Sequence, residues 1–258
     1  MKTIFLNFLA FLLILSSCSK KGEIDFDSVD VNVDSKINIR MVEIYDKSPR
    51  TFQFQCFTEK IYPCVNYPII VVSQQSSSSI DISFKGVIAT DFCLASLGPA
   101  SASIDLGALN IGTYNLTLHN GLFRQTGKLV VSSERYDVDF GNNPTFRFTN
   151  SILNRIPEHT IWGNIGNRNQ TLVQSFITAL MNVGATKKRY LPGDYREFEI
   201  DKNGDIVQGD KDSGYSFIFH YSGNIADVEQ LVKQYGTEQT YISVYTDKGE
   251  KFLSWMLK

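Results

Sequence analysis

No apolar run in this chain of 258 residues is long enough to cross a bilayer as a helix. The best of them, Ile4 to Leu15, is short and interrupted by Asn7, whereas a spanning helix needs roughly 20 apolar residues. Neither sign of charge is in excess, with 25 Lys and Arg against 27 Asp and Glu and a formal balance of −2. That leaves no basic stripe for phosphates, so nucleic acid is not an expected partner. Histidine is scarce. His119 falls in a turn, His159 before a strand and His220 inside one, without the His-x-x-x-His spacing of a zinc helix. Gly-x-Ser-x-Gly, the Walker loop and the dinucleotide fingerprint are all missing, which removes the enzyme classes that sequence announces most clearly. No cofactor is expected.

What is present begins at the N-terminus. Lys2 is the only charge before Lys20, and an apolar stretch leads to the small residues Ser16 and Ser17. That order of features describes a secretory signal. Leu15-Ser16-Ser17-Cys18 resembles the lipobox of bacterial lipoproteins. The resemblance implies removal of residues 1–17, diacylation of the Cys18 thiol and anchoring by its acyl chains, since two or three chains hold a protein firmly where one does not. Cleavage takes away one lysine and moves the formal charge to −3. Ser19 resembles the outer-membrane sorting pattern. The following Lys20-Lys21-Gly22-Glu23 departs from the acidic run of surface-exported Bacteroidetes lipoproteins, so both the periplasmic and the outer face of that membrane stay open.

Residues 18–35 read as a polar, acidic tether, flexible near the anchor. Seven short alternating runs follow between 36 and 133, separated by turn residues, and predict an all-β sandwich over 36–135. In Thr51–Phe57, Phe52, Phe54 and Cys56 share one face, so Cys56 points into a core. The leftover pair, Cys64 and Cys93, is the expected disulfide of an exported chain, with Cys56–Cys64 as the alternative. His119-Asn120-Gly121 marks a hairpin, because Asn-Gly accepts positive φ at both central positions. Ser76–Ser79 reads as a solvated hairpin tip. The stretch from Leu106 to Ser132 resembles the last strands of immunoglobulin-like domains of bacterial envelope proteins.

The pattern changes in residues 136–258. Leu172, Val173, Phe176, Ile177, Leu180 and Met181 form one helical stripe, with Asn169 placed to cap it and Gly184 to end it. Ile225, Val228, Leu231, Val232 and Tyr235 form another, between Asn224 and Gly236. Each stripe sits in a strand–helix–strand–turn–strand frame, and both turns are Asp-Lys-(Asn)-Gly. The fold class expected is therefore α+β, an immunoglobulin-like β-sandwich followed by a duplicated, two-layer, ferredoxin-like domain.

Candidate chemistry is thin. Asp201, Asn203 and Asp205 have the 1-3-5 spacing of a calcium loop, but Ile206 stands where glycine belongs and Asp212 where a bidentate Glu belongs. A plain hairpin is the preferred reading, and the metal site a weak candidate. Residues 163–169, GNIGNRN, read as a tight strand-to-helix connection before an anion site, and Lys187–Tyr190 as a solvated corner. Trp162 and Trp255 read first as strand residues of the core; exposed together with Tyr241 or Tyr245, they would instead form an aromatic platform for sugar or peptide.

The lipobox, PCVNYPI, FCLASLGPASASIDLG and RIPEHTIWGNIG together resemble an uncharacterised family of Bacteroidetes outer-membrane lipoproteins with an N-terminal immunoglobulin-like domain. The resemblance implies a compartment and a two-part architecture and brings no activity. The expected function is a non-catalytic cell-envelope lipoprotein, held to the membrane by its lipid, that binds, adheres to or scaffolds a glycan, peptide or envelope protein. The alternative is an envelope hydrolase using carboxylates of the C-terminal half.

Overall fold

The alternation in TFQFQCF is realised as a strand whose Phe52, Phe54 and Cys56 are buried while Gln53 and Gln55 stay partly exposed. The same inside–outside period builds β1 (Ile37–Ile44), β2 (Thr51–Tyr62), β3 (Ile69–Gln75), β4 (Ser79–Val87), β5 (Gly98–Asp105), β6 (Gly112–Asn120) and β7 (Phe123–Val131). The computed structural model describes residues 32–46, 48–94, 96–141, 143–167, 169–207 and 214–257. Signal segment, Cys18 and most of the tether lie outside the described residues.

Three further short strands, β8 (Arg135–Asp139), β9 (Phe146–Phe148) and β10 (Ile152–Asn154), join the first seven. One sheet runs β5-β2-β1-β9 and the other β10-β8-β7-β6-β4-β3. The pairs β1–β9 and β4–β6 are parallel, the rest antiparallel. Ile39, Phe54, Phe84, Leu116 and Phe146 from both sheets meet in one core. The border expected at residue 135 thus falls inside the six-stranded sheet, and hydrogen-bonded sandwich continues to Asn154. The last residues of the tether are also packed. Val33 is buried, its N–H donates to Asn120 Oδ1 at 2.7 Å, and its carbonyl accepts from Asn120 Nδ2 at 3.0 Å. Because Asn120 serves as this clamp and pairs with Phe123, the hairpin turns on Gly121-Leu122, one residue later than the Asn-Gly signal suggests, with glycine in the left-handed region at φ 58°.

The second half contains β11 (Thr160–Gly166), α1 (Gln170–Asn182), β12 (Ala185–Thr186), β13 (Gly193–Asp194), β14 (Glu199–Ile200), β15 (Tyr215–Tyr221), α2 (Ile225–Tyr235), β16 (Tyr241–Thr246) and β17 (Lys251–Leu253). Asn169 caps α1 by accepting from Thr171 and Leu172 N–H, and Asn224 caps α2 by accepting from Ala226 N–H. Met181, placed on the apolar stripe by spacing, is exposed. A five-stranded antiparallel sheet runs β12-β15-β11-β16-β17. Ile161, Ile165, Phe217, Phe219, Ile242 and Val244 on one face pack against Val173, Phe176, Leu180, Val228 and Val232 of the helices. Among the described residues no helix is long and apolar enough to cross a membrane.

The duplication expected from sequence is broken at one point. REFEI and Asp205–Val207 do not enter the five-stranded sheet. Glu199–Ile200 pairs with Gly193–Asp194 in a separate two-stranded sheet, and Ile200 bridges Ile206. This excursion covers the other face of the sheet, where Trp162, Tyr190, Tyr195 and Ile200 gather with Tyr45 and Ile156 in a third core. Tyr45 comes from the end of β1, so this core is the junction between sandwich and sheet.

Candidate functional site

At the junction, Glu43 is 4% exposed and accepts from Tyr136 Oη and Arg155 Nε, each at 2.9 Å. Arg50 Nη1 stands 3.6 Å from the same carboxylate and also donates to the Ile156 carbonyl. Arg50 Nη2 donates to the Asp247 carbonyl at 3.1 Å and lies 3.6 Å from its carboxylate. Burial, reinforced by Glu43, pushes the Tyr136 phenol up. The side chains of Glu43, Arg50, Arg155, Tyr136 and Asp247 answer one another, which suits a strut between two layers: a buried charge is tolerated when paired and hydrogen-bonded. The partners lie 93 and 112 residues from Glu43, so no local sequence signal announces them.

Cys64 and Cys93 form a disulfide with Cα atoms 5.4 Å apart. Cys56 is free and buried, and burial pushes its thiol well up, away from the reactive thiolate. Asp201 accepts from the backbone N–H of Asn203 at 2.8 Å and of Asp205 at 3.0 Å, and from Asn203 Nδ2 at 3.0 Å. These bonds, led by that from Asp205, hold its carboxyl below the usual range. The carboxylate that would be the first calcium ligand is spent on its own turn. Among the described residues no three His, Cys, Asp or Glu side chains gather as a metal site; Asp212 lies outside the described residues.

Two other carboxylates nearby, Asp194 and Glu197, are engaged separately. Asp194 accepts from Arg196 N–H at 2.7 Å and from Asn150 Nδ2 at 3.3 Å, and Glu197 stands 3.4 Å from Arg196. His119 Nε2 meets Asp81 Oδ2 at 3.1 Å on the sandwich surface, a pairing across 38 residues that sequence reasoning missed. His159 and His220 rings stand 5.8 Å apart edge to face. In GNIGNRN, Asn167 Oδ1 accepts from Asn169 N–H, and Asn169 in turn caps α1, as a tight connection requires. A hollow of about 1150 Å³ separates Lys187–Arg189 from the Asp201–Val207 loop, above Tyr215–Phe219. Lys187, Lys188 and Arg189 line one side and Asp201, Lys202 and Asp205 the other; residues 208–213 lie outside the described residues.

The two tryptophans part company. Trp162 is buried in the third core, stacked on Tyr245 and crossed by Tyr45. Trp255 is not on a strand. Ser254 N–H donates to the Ile242 carbonyl, and Ile242 N–H donates to Ser254 Oγ at 3.0 Å. With Met256 N–H bonded to Leu253, these contacts close a turn that expels the two residues after Ser254. Trp255 is 52% and Tyr241 56% exposed, their rings 6.4 Å apart at 66°. Met256 is exposed beside them in sequence.

The frame below this corner is fixed. Asn167 Nδ2 donates to Thr240 Oγ1 at 2.6 Å and to the Gln239 carbonyl at 3.3 Å, and Tyr241 pairs with Gly166. Thr237, Glu238 and Gln239 are exposed next to it. Register places the corner at the end of the sheet away from the sandwich, since Thr246 and Thr160 occupy the junction end. Two aromatic faces at an angle, rimmed by polar side chains, can hold an apolar ring face. Comparisons with protein-family models, with curated proteins and with solved structures return no match for this chain.

Proposed function

We propose that this chain is a non-catalytic lipoprotein of the bacterial outer membrane, tethered through acylated Cys18 and binding envelope glycan at the Tyr241–Trp255 corner. The observation that carries the reading is that corner: two half-exposed aromatic rings on a hydrogen-bonded frame, at the end of the C-terminal sheet remote from the sandwich. Sugar rings present an apolar C–H face and polar edges. The Trp255 and Tyr241 rings suit the first, and Thr237, Glu238 and Gln239 suit the second.

The lipobox resemblance supplies the tether, and the resemblance to Bacteroidetes lipoproteins supplies the compartment. We read the first half as an immunoglobulin-like sandwich, supported by β1, β2 and β5 lying in one sheet and β3, β4, β6 and β7 in the other. Its parallel β4–β6 pair is a departure from the all-antiparallel pattern. The second half reads as ferredoxin-like, supported by the order β12-β15-β11-β16 around two helices on one face, with β17 added at the edge.

The test is co-sedimentation of the chain with insoluble envelope polysaccharides, peptidoglycan included, beside mass spectrometry of the native product for acyl chains on Cys18. Binding is expected, with about tenfold loss in Trp255→Ala. Absence of binding across the polysaccharides, or binding untouched in a Tyr241→Ala/Trp255→Ala double variant, overturns the glycan reading. Capture of peptides instead, abolished by the same double variant, assigns the corner to peptide.

A further inference from the structure

The exposed apolar side chains of the sandwich are concentrated at one end. Tyr62 pairs with Gly98, Ile69 with Val87 and Asn120 with Phe123, so the loops 63–68 and 88–97 and the Gly121-Leu122 turn share that end. There Phe92 is 72%, Leu97 76% and Leu122 95% exposed, with Ile61 and Leu94 also exposed. The loops are held in place. The Cys64–Cys93 disulfide joins them, Asn66 Nδ2 donates to the Phe92 carbonyl at 2.6 Å and to Thr90 Oγ1 at 3.1 Å, and Leu94 N–H donates to Asn66 Oδ1 at 3.1 Å. Apolar groups fixed outward in this way mark a contact with a partner or a membrane.

The path of the chain selects between them. The Val33–Asn120 clamp brings the N-terminal segment onto the sandwich at this same end. The 15 residues from Cys18 to Val33 reach at most about 50 Å when extended. A lipid on Cys18 therefore keeps the patch within one tether length of the bilayer at high effective concentration. The junction with the second half lies at the other end of β1, so none of the described residues of that half shields the loops.

We propose that this end of the sandwich rests on the lipid surface, with Phe92, Leu94, Leu97 and Leu122 entering the boundary between headgroups and acyl chains. The inference rests on the reading of Cys18 as the anchor. Contact of this kind follows buried apolar area and is insensitive to salt, unlike attraction to anionic headgroups. It also directs the Tyr241–Trp255 corner away from the membrane.

The test uses the mature chain, residues 18–258, with Cys18→Ser so that no acyl chain assists, mixed with vesicles of phosphatidylethanolamine and phosphatidylglycerol. Salt-insensitive co-sedimentation is expected, falling about tenfold or more when Phe92→Ser, Leu94→Ser and Leu97→Ser are combined. An unchanged near-ultraviolet circular dichroism spectrum and thermal midpoint verify that the triple variant is folded. A second readout places tryptophan at an exposed position by Leu97→Trp, whose fluorescence brominated lipid is expected to quench. No vesicle binding, binding equal in the triple variant, or a concentration-dependent dimer that the triple variant disperses overturns the proposal, the last by giving the patch to a second copy. Mass spectrometry of native Cys18 separates the two readings: acyl chains present without vesicle binding by the Ser variant leaves the anchor and removes the contact, while a bare thiol removes the anchor itself.

Discussion

The two Asp-Lys turns of the C-terminal half begin from nearly the same residues and end in opposite situations. In Asp201-Lys202-Asn203-Gly204 the carboxylate bonds, among the described residues, only to its own loop. In Asp247-Lys248-Gly249 the aspartate is 7% exposed, its N–H donates to the Thr160 carbonyl at 3.0 Å, and Arg50 of the sandwich holds both its carbonyl and its carboxylate. Turn chemistry sets the local conformation in both places. Whether a turn carries structural load depends on what is docked against it, here a sandwich pinned through Arg50 and Glu43.

The sharpest way to break this contrast is to remove the strut. Glu43→Ala takes the acceptor from Arg155 Nε and the Tyr136 hydroxyl and the counter-ion from Arg50, and urea unfolding should show a loss of about 3–5 kcal/mol. The exposed Glu197 pairs with Arg196 at 3.4 Å, and Glu197→Ala should leave the midpoint in place.

Next come the two turn glycines. Both are in the left-handed region, at φ 92° for Gly204 and 82° for Gly249, so both alanine variants carry the same backbone strain. A Cβ on Gly249 would stand 2.3 Å from Asp46 Cβ, whereas one on Gly204 meets only Arg189 Cγ at 3.7 Å. Gly249→Ala is expected to cost about 3 kcal/mol and Gly204→Ala about 1 kcal/mol. Equal costs in thermal unfolding would show that the second turn is not docked.

A pH experiment reads the junction without mutation. Burial pushes Tyr45, Tyr190 and Tyr195 of the third core each up to about 12. A phenol is neutral while protonated, and the folded state holds these protons more tightly than the unfolded chain, which releases them near pH 10. Stability is therefore complete below about pH 10 and falls as pH climbs toward about 12. Tyrosinate absorbance should show a late-titrating class that coincides with loss of Trp162 near-ultraviolet signal. The smallest effect is at the free turn: Asp201→Asn should speed amide exchange at Asn203 and Asp205 and leave the thermal midpoint unmoved.

Much of the scaffold was legible because its causes are local. The seven strands up to Val131, both helices with their Asn169 and Asn224 caps, and the inward face of Cys56 all follow from period and capping. The Cys64–Cys93 bridge follows once Cys56 is assigned to the core. Phe146–Phe148 and Ile152–Asn154 were invisible, since three residues carry no period and their pairing depends on distant strands. Asn120 misled because its amide had a second use, clamping Val33. REFEI has the alternation of a sheet strand, yet Phe198 and Ile200 serve the third core, and only the location of Trp162 reveals that. Of the candidate site, the sequence offers Trp162 and Trp255 with Tyr241 or Tyr245 as a platform, of which Trp162 is buried and Trp255 and Tyr241 are exposed, while Ser254, whose bonds to Ile242 turn the chain outward, gives no signal.

The binding claim is most directly tested by fluorescence, because the chain has two tryptophans in opposite environments. With Trp162→Phe leaving Trp255 as sole reporter, titration with soluble peptidoglycan fragments and envelope oligosaccharides should blue-shift or quench the emission saturably, and Tyr241→Ala should weaken that response about tenfold. An emission unmoved by every glycan, in a variant whose Trp255 remains open to iodide, would contradict the account.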